Sequence, residues 1–226
     1  MKNILCVLLL LGCCSLHCQT KQQSSDIKTL GEKLKSGELS VSQVLSDPQW
    51  MSLHSITLFR KIIEKNARAE KLVIVTPDEP GLRTTIQGKI TDLDSKPYAN
   101  ALVYMYQTSD KGWYADTAAH ILSSGSDMGH ARLFGYVRTN NAGEFEMETI
   151  RPRGYPRSDL PAHIHIHAWT AKGDELEGLP GELLFEEDDR LTPARKREAL
   201  NSGFLVANNT GTAEKAVYRY TLVVRE

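Results

Sequence analysis

In the run Pro161-Ala162-His163-Ile164-His165-Ile166-His167, three imidazoles occupy alternate positions. Residues two apart on an extended strand share a face, so the rings point one way and the isoleucines the other. Imidazole is the commonest metal ligand, and a row of polar rings beside an isoleucine face costs too much to be casual burial. His163 and His165 reach one ion together, while His167 lies a further ~7 Å along the strand. All four cysteines fall at or before Cys18, which excludes thiolate zinc and iron–sulfur centres from the body of the chain. Two tyrosines stand nearby in turn sequences expected to be exposed: Tyr114 in Lys111-Gly112-Trp113-Tyr114, and Tyr155 in Arg151-Pro152-Arg153-Gly154-Tyr155-Pro156. A phenol ordinarily keeps its proton below pH ~10, but a hard trivalent cation removes it. Two phenolates and two imidazoles suit ferric iron, which from spacing alone is one option among several.

The elements that must position these groups follow from periodicity. Leu30, Leu34, Val41, Val44 and Leu45 keep an approximate helical period over Ile27 to Leu45, interrupted at Gly37. Asp47-Pro48 opens a second helix, with Ile56, Leu58, Phe59, Ile62 and Ile63 as its apolar face and His54 at its surface. Leu72 to Val75 reads as a strand. After Gly81 the period becomes two, with strands expected at Thr85 to Ile90, Ala101 to Tyr106, His163 to Thr170 and Ala216 to Val224. Leu133 to Thr139 and Glu144 to Ile150, joined by Asn140-Asn141-Ala142-Gly143, are expected to form a hairpin. Glu186 to Arg190 lacks the spacing of a calcium loop and reads as a solvated turn before a helix from Pro193 to Asn201. The fold class is therefore mainly β, an antiparallel β-sandwich core with N-terminal helices packed over a sheet.

Of the 226 residues, 24% are charged and 41% hydrophobic, a globular composition. A net charge of -1 excludes a nucleic-acid reader built on a basic surface and an acidic solvating tail. Lys2 precedes an apolar run from Ile4 to Leu11, too short to span a membrane and patterned as an export signal over residues 1–18. Leu10-Leu11-Gly12-Cys13 resembles a bacterial lipobox, which makes Cys13 the expected lipid-bearing residue and that lipid the only membrane contact; plain secretion is the alternative. Residues 19–80 are then a polar tether and helical region, and residues 81–226 the sandwich domain.

Gly112-Trp113-Tyr114, Phe134-Gly135, Thr139 to Gly143, Thr149-Ile150-Arg151-Pro152, Tyr155-Pro156 and Pro161-Ala162-His163-Ile164-His165 occur in an order that resembles the intradiol ring-cleavage dioxygenases. The likeness runs from about Gly81 to Phe185. It implies a mononuclear non-haem Fe(III) cofactor held by Tyr114, Tyr155, His163 and His165. It further implies an ortho-diphenol substrate taken up as a dianion, with Tyr155 released to help accept its protons. Dioxygen then cleaves the ring between the two hydroxyl-bearing carbons to give a muconate-type diacid. Homo-oligomers are common in the family, and the front helices could serve that purpose.

Two positions depart from the family pattern. Leu160 stands where an arginine precedes Pro-Ala-His, and Glu182, in Gly181-Glu182-Leu183-Leu184-Phe185, stands where glutamine is frequent. Trp113, Arg151, Leu160 and Glu182 are the candidate substrate-binding residues. Arg151, Arg153 or Arg157 could supply the charge that Leu160 lacks. Trp113, Asp116 and the loop from Thr117 to Gly129 are expected to rim the substrate mouth. His120 and His130 are expected to be solvent-exposed, with a place on that rim as the alternative. The leading function is an exported Fe(III) intradiol dioxygenase. The alternatives are a weak or inactive metal- or diphenol-binding lipoprotein of the same fold, and an interaction lipoprotein using its front helices.

Overall fold

The computed structural model describes residues 23–115, 129 and 131–224. The leader with Cys13, Asp116 and residues 117–128 of the expected rim, and His120 and His130 lie outside these residues. The chain divides into two compact units between Ser40 and Val41. In the first, helix α1 spans 23–36 and stops at Gly37, whose φ of 78° is open to glycine at little cost. Ile27, Leu30 and Leu34 are its buried side chains, spaced three and four apart.

The second unit opens with α2 (Val41–Leu45), a 3-10 helix over Pro48–Leu53 and α3 (Thr57–Lys65). The expected second helix is thus two pieces. The Asp47 carboxylate accepts from the Gln49 N–H and starts a tight 3-10 turn, and an extended Ile56 precedes α3. Nine strands follow among the described residues: β1 (Leu72–Val73), β2 (Arg83–Thr91), β3 (Leu102–Gln107), β4 (Leu133–Arg138), β5 (Glu144–Ile150), β6 (His163–Trp169), β7 (Glu182–Phe185), β8 (Leu205–Ala207) and β9 (Lys215–Val223). Helix α4 (Pro193–Asn201), with Thr192 as its N-cap and Pro193 in its first turn, lies between β7 and β8.

The strands form two sheets, β1-β5-β2-β9 and β4-β3-β6-β7-β8. This is the two-sheet sandwich with N-terminal helices that the alternating patterns imply, although β1–β5, β2–β9 and β7–β8 pair in parallel. The dry layer takes alternate residues of each strand: Ile86 and Met147 from the first sheet, and Val103, Ile164, Ile166 and Leu183 from the second.

Two expectations are corrected here. β4 and β5 are not a hairpin, because β4 pairs with β3 in one sheet and β5 with β2 in the other. The turn chemistry is as read, since the Asn140 side chain accepts from the Ala142 and Glu144 N–H groups. A tight turn fixes a reversal of direction but not the pairing partner, and here it carries the chain across the core. His54 is buried rather than at the surface: its ring stacks on Phe59 and Nδ1 lies 2.8 Å from the Arg132 carbonyl oxygen.

The outer face of the second sheet is covered in two places. At the β4 edge, α3 sets the Arg60 guanidinium 3.6 Å over the Phe134 ring. At the other edge, Leu184 clusters with Leu191 and Ala199 of the α4 region, joined by Phe204 and Val206. Strands β3 and β6 lie between these helices, and the histidines are on their outward face.

Candidate metal centre

The β6 alternation buries Ile164 and Ile166 in the dry layer and turns His163, His165 and His167 outward. β3 pairs antiparallel with β6 and places Tyr106 opposite His165 and Tyr104 opposite His167. The Tyr106 ring stacks on His165 at 4.4 Å between centroids. Water is thereby kept from one side of the imidazole.

Two loops close over this surface. One follows β3 and carries Tyr114; the other follows β5 and carries Tyr155. They touch where Gly112 meets Gly154: a Cβ on Gly112, at φ 75°, would come within 2.5 Å of the Gly154 carbonyl oxygen. Glycine is needed there for space as well as for conformation. On the far side of the Tyr114 loop, the Arg132 N–H donates to the Tyr114 carbonyl at 2.7 Å. The Arg132 guanidinium grips the buried Glu79 carboxylate through two bonds of 2.7 and 2.6 Å. Arg190 donates to the Tyr155 carbonyl at 3.0 Å.

Four donor atoms converge as a result. The Tyr114 hydroxyl lies 2.6 Å from the Tyr155 hydroxyl and 2.9 Å from His165 Nε2, and the Tyr155 hydroxyl lies 2.9 Å from His163 Nε2. The two tyrosines differ from each other and from the exposed pair expected. Tyr114 is buried, with 1% of its surface accessible, whereas Tyr155 is half-buried and lines a cavity. Tyrosine bulk fills the space under the covering loops, an outcome that turn-like sequence cannot reveal.

The outer nitrogens of both imidazoles are also engaged or faced. His163 Nδ1–H donates to the Pro161 carbonyl at 2.8 Å, which puts the ring's lone pair on Nε2, toward the Tyr155 hydroxyl. His165 Nδ1 faces the Glu182 carboxylate at 3.8 Å. His163, His165 and Glu182 are close enough to be read as a two-histidine, one-carboxylate site. Glu182, however, sits behind His165, and the phenols occupy the side where both Nε2 atoms point. Its carboxylate is placed to orient the His165 ring through Nδ1. Burial, with His163 and His167 alongside, pushes the His165 pKa down to about 3, so the ring is neutral and its lone pair is free for a cation.

The cavity beside Tyr155 and His163 holds about 430 Å³. Leu160 and Glu182 are among its lining residues. Trp113 and Arg151 are not among its lining residues; Arg151 and Arg153 line a separate cavity with Asp188 and Asp189. His167 shares the face but stacks on Trp169 at 6.2 Å and joins none of the four-atom contacts. Sequence reading missed Arg195, Glu198 and Ala199 of α4 and Ser202, which also line this cavity. Their spacing of three and four marks one helix face, but nothing local says what that face looks onto.

A family model described as "Dioxygenase" matches residues 61–225. The chain belongs to the intradiol dioxygenase family. Family membership is carried by most of the sandwich, and the residue order of the two loops and β6 accounts for the four donors. Catechol 1,2-dioxygenase 1 of Acinetobacter lwoffii is 33% identical over 133 residues, which is 50% of this chain and 41% of that protein. Catechol 1,2-dioxygenase of Candida albicans is 31% identical over 96 residues, covering 35% and 30% respectively. The chain therefore spans less than half the length of these curated relatives. Among solved structures, the dioxygenase domain of a dioxygenase–carbohydrate-binding fusion from Streptomyces sp. SirexAA-E superposes with a TM-score of 0.50 at 22% identity, covering 70% of this chain and 88% of that one. Catechol 1,2-dioxygenase from Acinetobacter sp. ADP1 gives 0.50 at 17% identity, covering 71% and 58%. At these identities the superpositions establish the fold.

Proposed function

We propose that this protein is a non-haem Fe(III) intradiol dioxygenase that cleaves catechol-like aromatics with O2. One observation carries the reading: two phenols and two Nε2 atoms meet within 2.6–2.9 Å beside an open cavity. The donor chemistry fits a hard trivalent cation, since the His165 imidazole is held neutral by burial and phenols give up protons to such a charge. When bound there, ferric iron would supply the acidity that deprotonates phenols and the electron-accepting centre that makes a chelated diphenol reactive toward O2.

The chain's own residues divide the remaining work. Tyr114 is enclosed by Tyr106 and the covering loops and stays in place, with ring centroids 6.0 Å apart. Tyr155 faces the cavity, so it is the group an entering diphenol would meet, and its Oη, when deprotonated, would take a substrate proton. Leu160, Leu184, Leu191 and Phe204 give the aromatic ring an apolar bed. The buried outer nitrogen of His163, fixed on Pro161, holds its ring in the ligating tautomer.

The deciding experiment is metal analysis with a visible spectrum, followed by anaerobic catechol and then oxygen. A ferric tyrosinate band that shifts with catechol, and oxygen uptake on aeration, support the enzyme. Leu160, 53% exposed at the cavity, favours the second reading, a binding module that keeps iron and diphenol without turnover. Bound iron with a catechol-shifted band but no oxygen uptake would select it. Export with lipidation at Cys13 belongs to the same proposal, as does self-association. Among the described residues no helix is long and apolar enough to cross a membrane. Partition of the mature protein into detergent tests lipidation; a mature N-terminus beyond Cys18 defeats it.

A further inference from the structure

The cavity beside Tyr155 and His163 is unevenly charged. Besides its apolar residues, the lining includes Glu182, which faces His165, and Arg195, Glu198, Ala199 and Ser202 from the α4 region. Arg195 is the cation of this lining, and it is already engaged. Its guanidinium donates to the Asp159 carbonyl and, at 3.5 Å, to the Arg190 carbonyl, and it lies 3.5 Å from the Asp159 carboxylate. It ties the segment before His163 to α4, and Asp159 balances its charge. The neighbouring Lys196 is bound to Glu186 at 2.5 Å and is not among the lining residues. Glu198 remains as the exposed carboxylate on the α4 part of the lining.

Resting on the dioxygenase reading, we propose that Glu198 determines specificity by selecting catechols whose ring substituent is cationic, such as a protonated amine, and disfavouring carboxylated ones. A diphenol held at Tyr155 and His163 lays its ring on Leu160, Leu184, Leu191 and Phe204. A chain on the far carbon then reaches the α4 face, where it meets Glu198 and finds Arg195 occupied. The volume of about 430 Å³ leaves room for a ring and a short side chain. The carboxylate is solvent-exposed, so its preference is modest and weakens with salt.

The test is anaerobic titration of the iron-loaded protein with three matched probes, read from the visible band. The probes are 4-ethylcatechol, 3,4-dihydroxyphenethylamine and 3,4-dihydroxyphenylacetate. The amine should bind about fivefold more tightly than the neutral probe, and the acid about fivefold more weakly. Glu198→Gln should bring the three together, and Glu198→Arg should invert their order. Glu198→Gln is also the safeguard should the arginine variant fold poorly. Tighter binding of the acid by the unaltered protein, or an order unchanged in Glu198→Gln, overturns the inference and leaves the dioxygenase reading standing. A band that none of the three probes moves overturns both.

Discussion

The two sheets share a core, yet their outer faces have different chemistry. On the first sheet, Lys71 bridges Glu146 and Glu148 at 3.4 and 2.7 Å, Lys215 reaches Glu148, and Arg219 Nε donates to Gln87. The depression there, about 740 Å³ and larger than the cavity at the tyrosines, is lined mainly by these solvated charges and amides. On the second sheet, α3 and α4 cover the edges and two loops cover the middle, so rings and imidazoles are held out of water. Cavity size is thus a poor guide to chemistry in this protein. Enclosure, not volume, is what sets the aimed rings and imidazoles of the second sheet apart from the solvated charges of the first.

The largest expected effect tests that contrast at the covered face. His165→Ala should lower iron affinity by more than about a hundredfold and bleach the visible band while the protein stays folded. Near-normal iron content in that variant would remove the second sheet's claim to the metal. An intermediate effect separates the two sides of one strand. Ile166→Ala, in the dry layer, should cost about 3 kcal/mol in denaturant unfolding and leave the position of the iron band unchanged. A bleached band with little loss of stability would mean that β6 is divided differently.

The smallest effect belongs to the solvated face. The Lys71 ammonium, by hydrogen bonding, holds the Glu148 carboxyl below its usual pKa. Such a carboxylate adds stability above its unfolded pKa, and the contribution disappears as pH falls through the folded value. Lys71→Met should therefore cost about 0.5 kcal/mol at neutral pH, because Lys71 is largely exposed and water screens the pair. Wild type and variant should converge in acid. A cost of several kcal/mol would show that this face is not the solvated one.

How much was legible depended on the range of the forces involved. Alternation along His163 to His167 settled which side chains share a face, because strand geometry is local. The Asp47 and Asn140 turns were readable for the same reason. The Asn140 turn nevertheless misled about pairing, since strands of opposite sheets enter and leave a tight turn with the same local chemistry. His54 and Tyr114 look exposed in sequence, and only the packing of α3 and of the covering loops buries them.

The residue order supplied a list: two phenols, two imidazoles and a leucine just before Pro161. Distance between the listed groups came from elsewhere. Tyr114 and Tyr155 stand 41 positions apart yet 2.6 Å from hydroxyl to hydroxyl, because two sheets, a glycine contact and the Arg132–Glu79 clamp bring their loops together. The charge of the cavity was settled the same way. Arg195 and Glu198 are neighbours on one helix, but Asp159 and Arg190, reached through the fold, occupy the arginine and leave the glutamate facing the cavity. Local pattern sets which groups exist and which way each points, whereas pKa, burial and charge balance depend on everything within several ångströms in space. Only the folded chain defines that neighbourhood.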